Sequence, residues 1–296
     1  LKPTYTDHAA FRLEAGHLPA GEPLYIRGDV RLKREEGSAS EALKPVLLIS
    51  HGFKGFKDWG FFPYIAERFA ESGFFVVTYN FSCNGVNETD FDELDKFGVN
   101  TFSREQQDLD IVLKALLGRK LPLAEKADTE RIYLLGHSRG GGGGIVFAAE
   151  HSEIRALVTW NGSAYADLFD EAFKARVLED GVGYVTNART KQEMPIRAEF
   201  YADLEAKGER FDIIRRLAEL TIPVLQVQGD QDSPRLLAGF EALRAGAPQH
   251  KPTVIQGGNH TFGAGHPFVS TTPHLEEAIQ ATLQFLQEAD SKRVHS

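Results

Sequence analysis

The chain has 296 residues, with 33 Lys and Arg against 42 Asp and Glu and a formal charge of −9. That length allows one large domain or two small ones, and the acidic balance excludes the basic surface that a nucleic-acid binder needs. A 42% hydrophobic share with 25% charged residues excludes wholesale disorder, and the lone cysteine, Cys83, excludes an intrachain disulfide and thiolate metal clusters. The longest apolar runs fall far short of a membrane span, so no membrane partner is expected. No basic segment followed by an apolar stretch opens the chain, so a secretory signal is not expected and a cytoplasmic location is.

Residues 24–33 have strand character, and the charged, small residues 34–41 make a loop. Residues 45–50 (PVLLIS) form a short aliphatic run, expected as a buried strand. Helical spacing over 61–71 stops at Gly73, a good helix terminator, and 74–79 (FFVVTY) is the next strand. Ser103 is the expected N-cap of a helix whose face carries Leu109, Val112, Leu113 and Leu116. Strands are then expected at 131–135, 156–160, 223–227 and 253–255, and helical segments at 145–149, 235–244 and 275–287. Apolar strands alternating with amphipathic helices predict an α/β fold: a mostly parallel central sheet with helices on both faces.

Between Trp160 and Pro223 lie about sixty residues, too many for a plain crossover. Residues 171–178 and 197–207 look helical there, and 183–196 resembles a small hairpin. Residues 161–220 are therefore expected to form an inserted cap, with one sheet-covering helix, inside a single domain spanning 1–296.

Gly136-His137-Ser138-Arg139-Gly140 fits Gly-x-Ser-x-Gly, follows the strand RIYLL directly and opens into a helix. A serine on such a strand-to-helix turn has strained backbone, tolerable only where the residues two before and two after lack bulk. The turn lifts the Ser138 hydroxyl above the C-terminal edge of the sheet, where open α/β sheets bind ligands. Ser138 is thus the candidate nucleophile. Its candidate base is His260, in the short glycine-rich loop after the last strand. Gly229-Asp230-Gln231-Asp232 offers two acids. Asp230 is expected to be tied into the turn, leaving Asp232, deeper in the loop, to orient the histidine. In Ile49-Ser50-His51-Gly52-Phe53, a glycine at a strand end lets backbone approach a ligand closely. The N–H of Phe53, with that of Arg139, is the candidate oxyanion donor.

This set resembles the α/β-hydrolase family: His51-Gly52-Phe53, the elbow at 136–140, Asp232 and then His260, over roughly residues 45–288. The order Ser–Asp–His is that family's order. The stretch HGFKGFKDWGFFP and the segment NFSCNG resemble bacterial esterases and the dienelactone-hydrolase and acyl-peptidase-like branch. Dienelactone hydrolases proper carry cysteine in the elbow, where this chain has Ser138. Bacterial feruloyl and cinnamoyl esterases are similar in size and in carrying an insertion at this place.

The resemblance implies a serine carboxylic-ester hydrolase with an acyl-enzyme intermediate and no cofactor, acting on small to medium esters, aromatic acyl esters among them. A thioesterase or an acylaminoacyl-type peptidase would use the same chemistry, but the peptidases of that branch usually carry an N-terminal propeller. About 44 residues before PVLLIS cannot form one. A hydrolase fold kept only for ligand binding usually has lost a triad member, and every position is filled here. The expected partner is a small-molecule ester, and a homodimer is an allowed assembly.

Other signals carry less. His260, His266 and His274 do not have zinc-ligand spacing, so no metal is expected. The glycines at 140–144 lack the Lys-Ser/Thr of a phosphate loop and instead let the elbow helix pack closely on its strand. Cys83 is expected to pack, and Lys54 and Lys57 to form a solvated loop face. One or two of Phe53, Phe56, Trp59, Phe61 and Phe62 are expected at the site. Trp59, Trp160 and Tyr184 are the candidate substrate contacts.

Overall fold

A computed structural model describes residues 5–34 and 42–294; the loop expected at 34–41 lies outside the described residues beyond Arg34. The chain begins with two antiparallel strands, β1 (Thr6–His17) and β2 (Pro23–Lys33). There follow β3 (Lys44–Ser50), α1 (Phe62–Glu71), β4 (Phe75–Asn80), the short α2 (Leu94–Gly98) and α3 (Phe102–Leu117). Then come β5 (Ala127–His137), α4 (Arg139–Glu150) and β6 (Ile154–Trp160). Among the described residues the main sheet has eight strands in the order β1-β2-β4-β3-β5-β6-β9-β10, where β9 is Val224–Gly229 and β10 is Lys251–Ile255. From β4 to β10 the pairings are parallel, while β2 meets β4 antiparallel.

Period-two alternation sends successive strand residues to opposite faces, so a strand covered on both sides must be apolar throughout. Val46 and Leu48 of β3 join one core with Leu109, Val112 and Leu113 of α3 and Ile145 of α4. Leu47 and Ile49 join the other with Ile65 and Phe69 of α1 and Ile279 of α9 (Pro273–Val294). From Val46 to Ser50 every residue of β3 is buried, which is why the short run PVLLIS is legible as a strand. β1 is different: most of its residues alternate between half-buried and exposed at the sheet's edge, and no expected strand covers it.

The α3 N-cap is Thr101, whose side chain accepts the Arg104 N–H, and not Ser103. Both residues can cap. Phe102 decides between them, because it is fully buried in the first turn and so pulls the helix start two residues earlier.

Between β6 and β9 the chain forms α5 (Glu171–Asp180), the hairpin β7 (Val182–Thr186) and β8 (Glu193–Arg197), α6 (Glu199–Ala206) and α7 (Ile213–Glu219). Ile213 and Leu217 of α7 belong to the core of the main sheet. The rest has a separate apolar core, in which Phe173, Val177, Met194, Ile196 and Phe200 pack on Phe56, Phe91 and Phe97. α8 (Pro234–Gly246), capped by Ser233, then links β9 to β10. Among the described residues no helix is long and apolar enough to cross a membrane.

Candidate active site

Parallel strands that neighbour one another put their C-terminal ends along one edge, and β3, β5, β6, β9 and β10 are neighbours in that order. Ser138 follows β5 with φ +56° and ψ −123°, a strained conformation for a residue bearing a side chain. The turn is held by the Ser138 N–H donating to the Trp160 carbonyl (2.9 Å) and by the Ser163, Gly141 and Gly142 N–H groups donating to the Ser138 carbonyl. A Cβ on Gly136 would collide with the Gly140 carbonyl and lie 2.7 Å from Gly141 Cα, so the turn closes only on glycine.

His260 Nδ1–H donates to Asp232 Oδ2 (2.9 Å), leaving Nε2 to accept the Ser138 hydroxyl at 3.0 Å. The Asp232 side chain is 1% exposed. Burial alone would raise its pKa. The hydrogen bond and charge of His260, the Ser233 N–H (2.7 Å) and the Gln228 amide (3.1 Å) outweigh that and hold the carboxyl below the usual aspartate range. Asp230 instead accepts the Gly257 N–H at 2.7 Å, tying the turn after β9 to the turn after β10. Ser138, His260 and Asp232 are therefore brought into one hydrogen-bonded chain, and Asp230 is outside it.

Gly52 lies against the elbow: a Cβ there would sit 2.8 Å from Ser138 Cβ and 3.0 Å from the His137 carbonyl oxygen. Phe53 follows it, and Arg139 follows Ser138, so the two candidate donor N–H groups come from the two backbone segments that meet at the elbow. Among the described residues neither N–H donates to another protein group.

Two buried histidines brace this arrangement, and sequence reasoning gave neither a role. His137 Nε2–H donates to the His260 carbonyl (2.8 Å), and burial, helped by the neighbouring His260, lowers its pKa to about 3. His51 Nδ1–H donates to the Gly52 carbonyl (2.9 Å) while Nε2 accepts the Phe81 N–H (3.2 Å), and burial lowers its pKa to about 4. Both are neutral spacers with fixed tautomers. Asn161 is a third missed residue. Fully buried at the end of β6, it donates to the His260 carbonyl (2.8 Å) and accepts the Gly229 N–H (2.8 Å). It thus connects the loop of the base to the strand end that leads to the acid. The only signal in sequence was a turn-forming Asn-Gly pair directly after a strand.

Two cavities meet at the hydroxyl, of about 400 Å³ and 320 Å³, sharing Phe53, Lys54, Ser138 and His260. The larger has Trp59, Phe62 and Phe91 on its walls and Asn187, Ala188 and Arg189 from the hairpin tip. The smaller is lined by Ala164, Tyr165, Leu168, Phe169 and Leu236, with Asp167 and Arg235.

Trp59 thus lines the site as expected, but two other candidate contacts need correction. Trp160 is fully buried in the core with its indole N–H on Thr282 (3.0 Å); only its backbone carbonyl serves the elbow. Tyr184 is 57% exposed and lines neither cavity. The hairpin reaches the site through its tip at 187–189, whereas Tyr184 sits on a strand position facing away. Of the five aromatic residues near the first loop, Phe53, Trp59 and Phe62 line the larger cavity, while Phe56 and Phe61 are buried in cores. Lys57 is ion-paired with Asp29 (2.6 Å) and Asp58 (2.7 Å), and Lys54 lines both cavities, so neither is merely part of a solvated face. Cys83 is buried, and burial raises its thiol pKa to about 11. The described residues hold no group of three or more His, Cys, Asp or Glu placed to bind a metal ion.

A family model for the alpha/beta hydrolase fold matches residues 45–206. No curated protein sequence matches the chain. Among solved structures it is similar to Est1E from Butyrivibrio proteoclasticus bound to ferulic acid, at 19% identity and a TM-score of 0.64, covering 90% of this chain and 96% of that one. It is also similar to the alpha/beta hydrolase GrgF from Penicillium sp. sh18, at 16% identity and a TM-score of 0.68, covering 95% and 99%. A dienelactone hydrolase from Anabaena variabilis aligns at 14% identity with a TM-score of 0.59, covering 96% and 98%. At such identities the likeness extends to the fold alone.

Proposed function

The chain belongs to the alpha/beta hydrolase fold family, and from that membership we propose that it is a serine hydrolase of small to medium carboxylic esters. The observation that carries this reading is the chain Ser138 Oγ–His260–Asp232, with links of 3.0 and 2.9 Å, placed where two cavities meet.

In the acylation step Ser138 Oγ attacks the ester carbonyl carbon while His260 Nε2 takes the hydroxyl proton. Negative charge builds on the carbonyl oxygen and is met by the Phe53 and Arg139 N–H groups. The carbonyl then re-forms, the alcohol leaves with the proton carried by His260, and Ser138 is left acylated. Water repeats the sequence and releases the acid. Ionised Asp232 holds the imidazole in the tautomer that can accept the proton and stabilises the imidazolium formed.

The two cavities give the acyl and alcohol portions separate places. Each lies near the low end of the ~300–1,000 Å³ usual for small-molecule sites. Residues 161–220 act as the cap that closes the larger one, through the tip at 187–189. Aromatic walls suit aryl esters, and the fold likeness to Est1E, whose structure holds ferulic acid, supports that preference.

The test is labelling and turnover. Wild type is expected to react stoichiometrically with a fluorophosphonate probe and to hydrolyse p-nitrophenyl acetate. Ser138→Ala is expected to lose labelling and to fall by up to about 10⁶-fold in kcat while melting like wild type. A panel of thioesters and amides run alongside fixes the bond preference. Retention of more than a few per cent of turnover by Ser138→Ala would overturn the reading.

A further inference from the structure

The protein carries a net charge of −9, yet among the described residues no Asp or Glu lines the larger cavity. Its charged lining is cationic, from Lys54 and Arg189, and His266 stands beside them. Two of these are already satisfied. Asp90, behind the wall, pairs with Arg189 at 2.6 Å and approaches His266 at 3.4 Å. Lys54 is not: among the described residues its ammonium makes no ion pair or hydrogen bond. Its Nζ lies 5.7 Å from the centroid of the Phe53 ring. Lys57, three residues on, shows what an ordinary lysine of this loop does, since it finds two carboxylates.

Lys54 also adopts φ +56°, a conformation that costs a side-chain-bearing residue energy and that glycine would take freely. It stands two residues beyond Gly52 and lines both cavities beside Ser138 and His260. Partial burial lowers its pKa, the mark of an ammonium that has lost water without gaining a counter-charge. A partly desolvated cation in this condition favours an incoming anion, because that group replaces lost solvation and adds a charge-assisted hydrogen bond.

We infer that the larger cavity receives a carboxylate-bearing portion of the ester substrate, with Lys54 as the residue that selects for that charge. The inference rests on the ester-hydrolase reading and narrows its substrate class to anionic esters with an apolar or aromatic body. Trp59, Phe62 and Phe91 would hold that body, and Lys54 would meet the carboxylate. The smaller cavity, whose lining sets the carboxylate of Asp167 against the guanidinium of Arg235, would take the uncharged portion.

Matched pairs of esters test this on either side of the scissile bond. One pair is 4-nitrophenyl hydrogen glutarate against 4-nitrophenyl valerate, with the charge on the acyl side. The other is 4-acetoxybenzoate against its methyl ester, with the charge on the alcohol side. For each pair the ratio of kcat/KM, anionic over neutral, is measured in wild type, Lys54→Met, Lys54→Gln and Lys54→Arg. In at least one pair the ratio is expected to fall about tenfold in Lys54→Met and Lys54→Gln, the scale of one hydrogen bond to a charged group, and to survive in Lys54→Arg. Ratios that stay constant across all four proteins in both pairs would overturn the inference, as would a loss shared equally by charged and neutral esters.

If no ester is turned over and the fluorophosphonate does not label, the ester-hydrolase reading has failed, and Lys54 is then decided by binding alone. Calorimetry should show benzoate bound at least fivefold more tightly than benzamide by wild type and equally by Lys54→Met. Equal binding of the two by wild type refutes the anion site.

Discussion

A single methyl group at Gly140 should disable the site without touching any reacting atom. An alanine Cβ there would sit 2.7 Å from the Ser50 carbonyl oxygen and closer still to that of His51. Both are backbone atoms at the end of β3, so no side chain can swing away. Ordinary contact requires the elbow helix and that strand end to part by roughly 1 Å, an overpacking that costs about 1–3 kcal/mol. The larger effect is geometric. Phe53 lies two residues beyond His51, and Arg139 immediately precedes Gly140, so the same displacement moves the two oxyanion donors apart. A misplacement of about 1 Å can lower turnover by about 10²-fold.

Gly143→Ala is the matched control on the same helix. Its Cβ would meet the Gln106 amide nitrogen at 3.2 Å, the end of a side chain, and its helix propensity gains up to about 1 kcal/mol. The assay is kcat and KM for p-nitrophenyl acetate together with urea unfolding of both variants. Gly140→Ala should lose about two orders of magnitude in kcat, and Gly143→Ala should stay within about 1 kcal/mol of wild type. Turnover above half of wild type in Gly140→Ala, or equal damage in both, would refute the reasoning.

Three further outcomes are expected. Asp232→Asn should fold normally but lose about 10⁴-fold in kcat, because the amide favours the wrong histidine tautomer, whereas Asp230→Asn should mainly lose stability, about 1–2 kcal/mol from its bond to Gly257; the reverse pattern in paired kinetics and melts would show the acid to be misassigned. Asn161→Leu should leave the His260 carbonyl with one donor fewer and the Gly229 N–H unpaired. It should cost about 2–4 kcal/mol and lower kcat, and an unchanged melt would show that the clamp is idle.

The third concerns pH. His51 and His137 have folded pKa values lowered to about 4 and about 3 by burial, so the unfolded chain binds more protons below pH ~6.5 and their stabilising contribution is lost as the pH falls below that value. Asp108, pushed up to about 7 by burial, acts in the opposite direction, losing its contribution as the pH rises towards 7. From pH 6 to 5 these three groups together should cost about 1 kcal/mol, and Asp108→Asn should roughly double that slope. Urea unfolding at the two pH values checks it, and an unchanged slope in the variant would contradict the assignment.

The elements that carry the site are local features, and local chemistry wrote them plainly. The runs 46–49 of β3 and 132–135 of β5 are apolar on both faces, so they could not be mistaken for exposed segments. Ser138, lying between Gly136 and Gly140 after such a run, announces its own strained turn. Asp232 and His260 could be singled out because each follows a strand. The helix start at Thr101, the edge strand β1 and the misplaced Trp160 and Tyr184 mark where local reading stops. Trp160, a candidate substrate contact, ends a strand, but its side chain belongs to the covered face, and only its carbonyl serves the elbow.

What the tertiary structure alone decided is which strand ends are neighbours and which polar groups they trap. Asn161 and His137 act on a carbonyl roughly a hundred or more positions away, and no spacing rule links such residues. Lys54 reads in sequence as one of two loop lysines. Its partner Lys57 finds carboxylates, and Lys54 does not, a difference created by where Asp29 and Asp58 lie once the sheet has formed. Propensity and periodicity follow from interactions within a few residues. Satisfaction of buried charge depends on every element around it, so it becomes legible only in the folded chain.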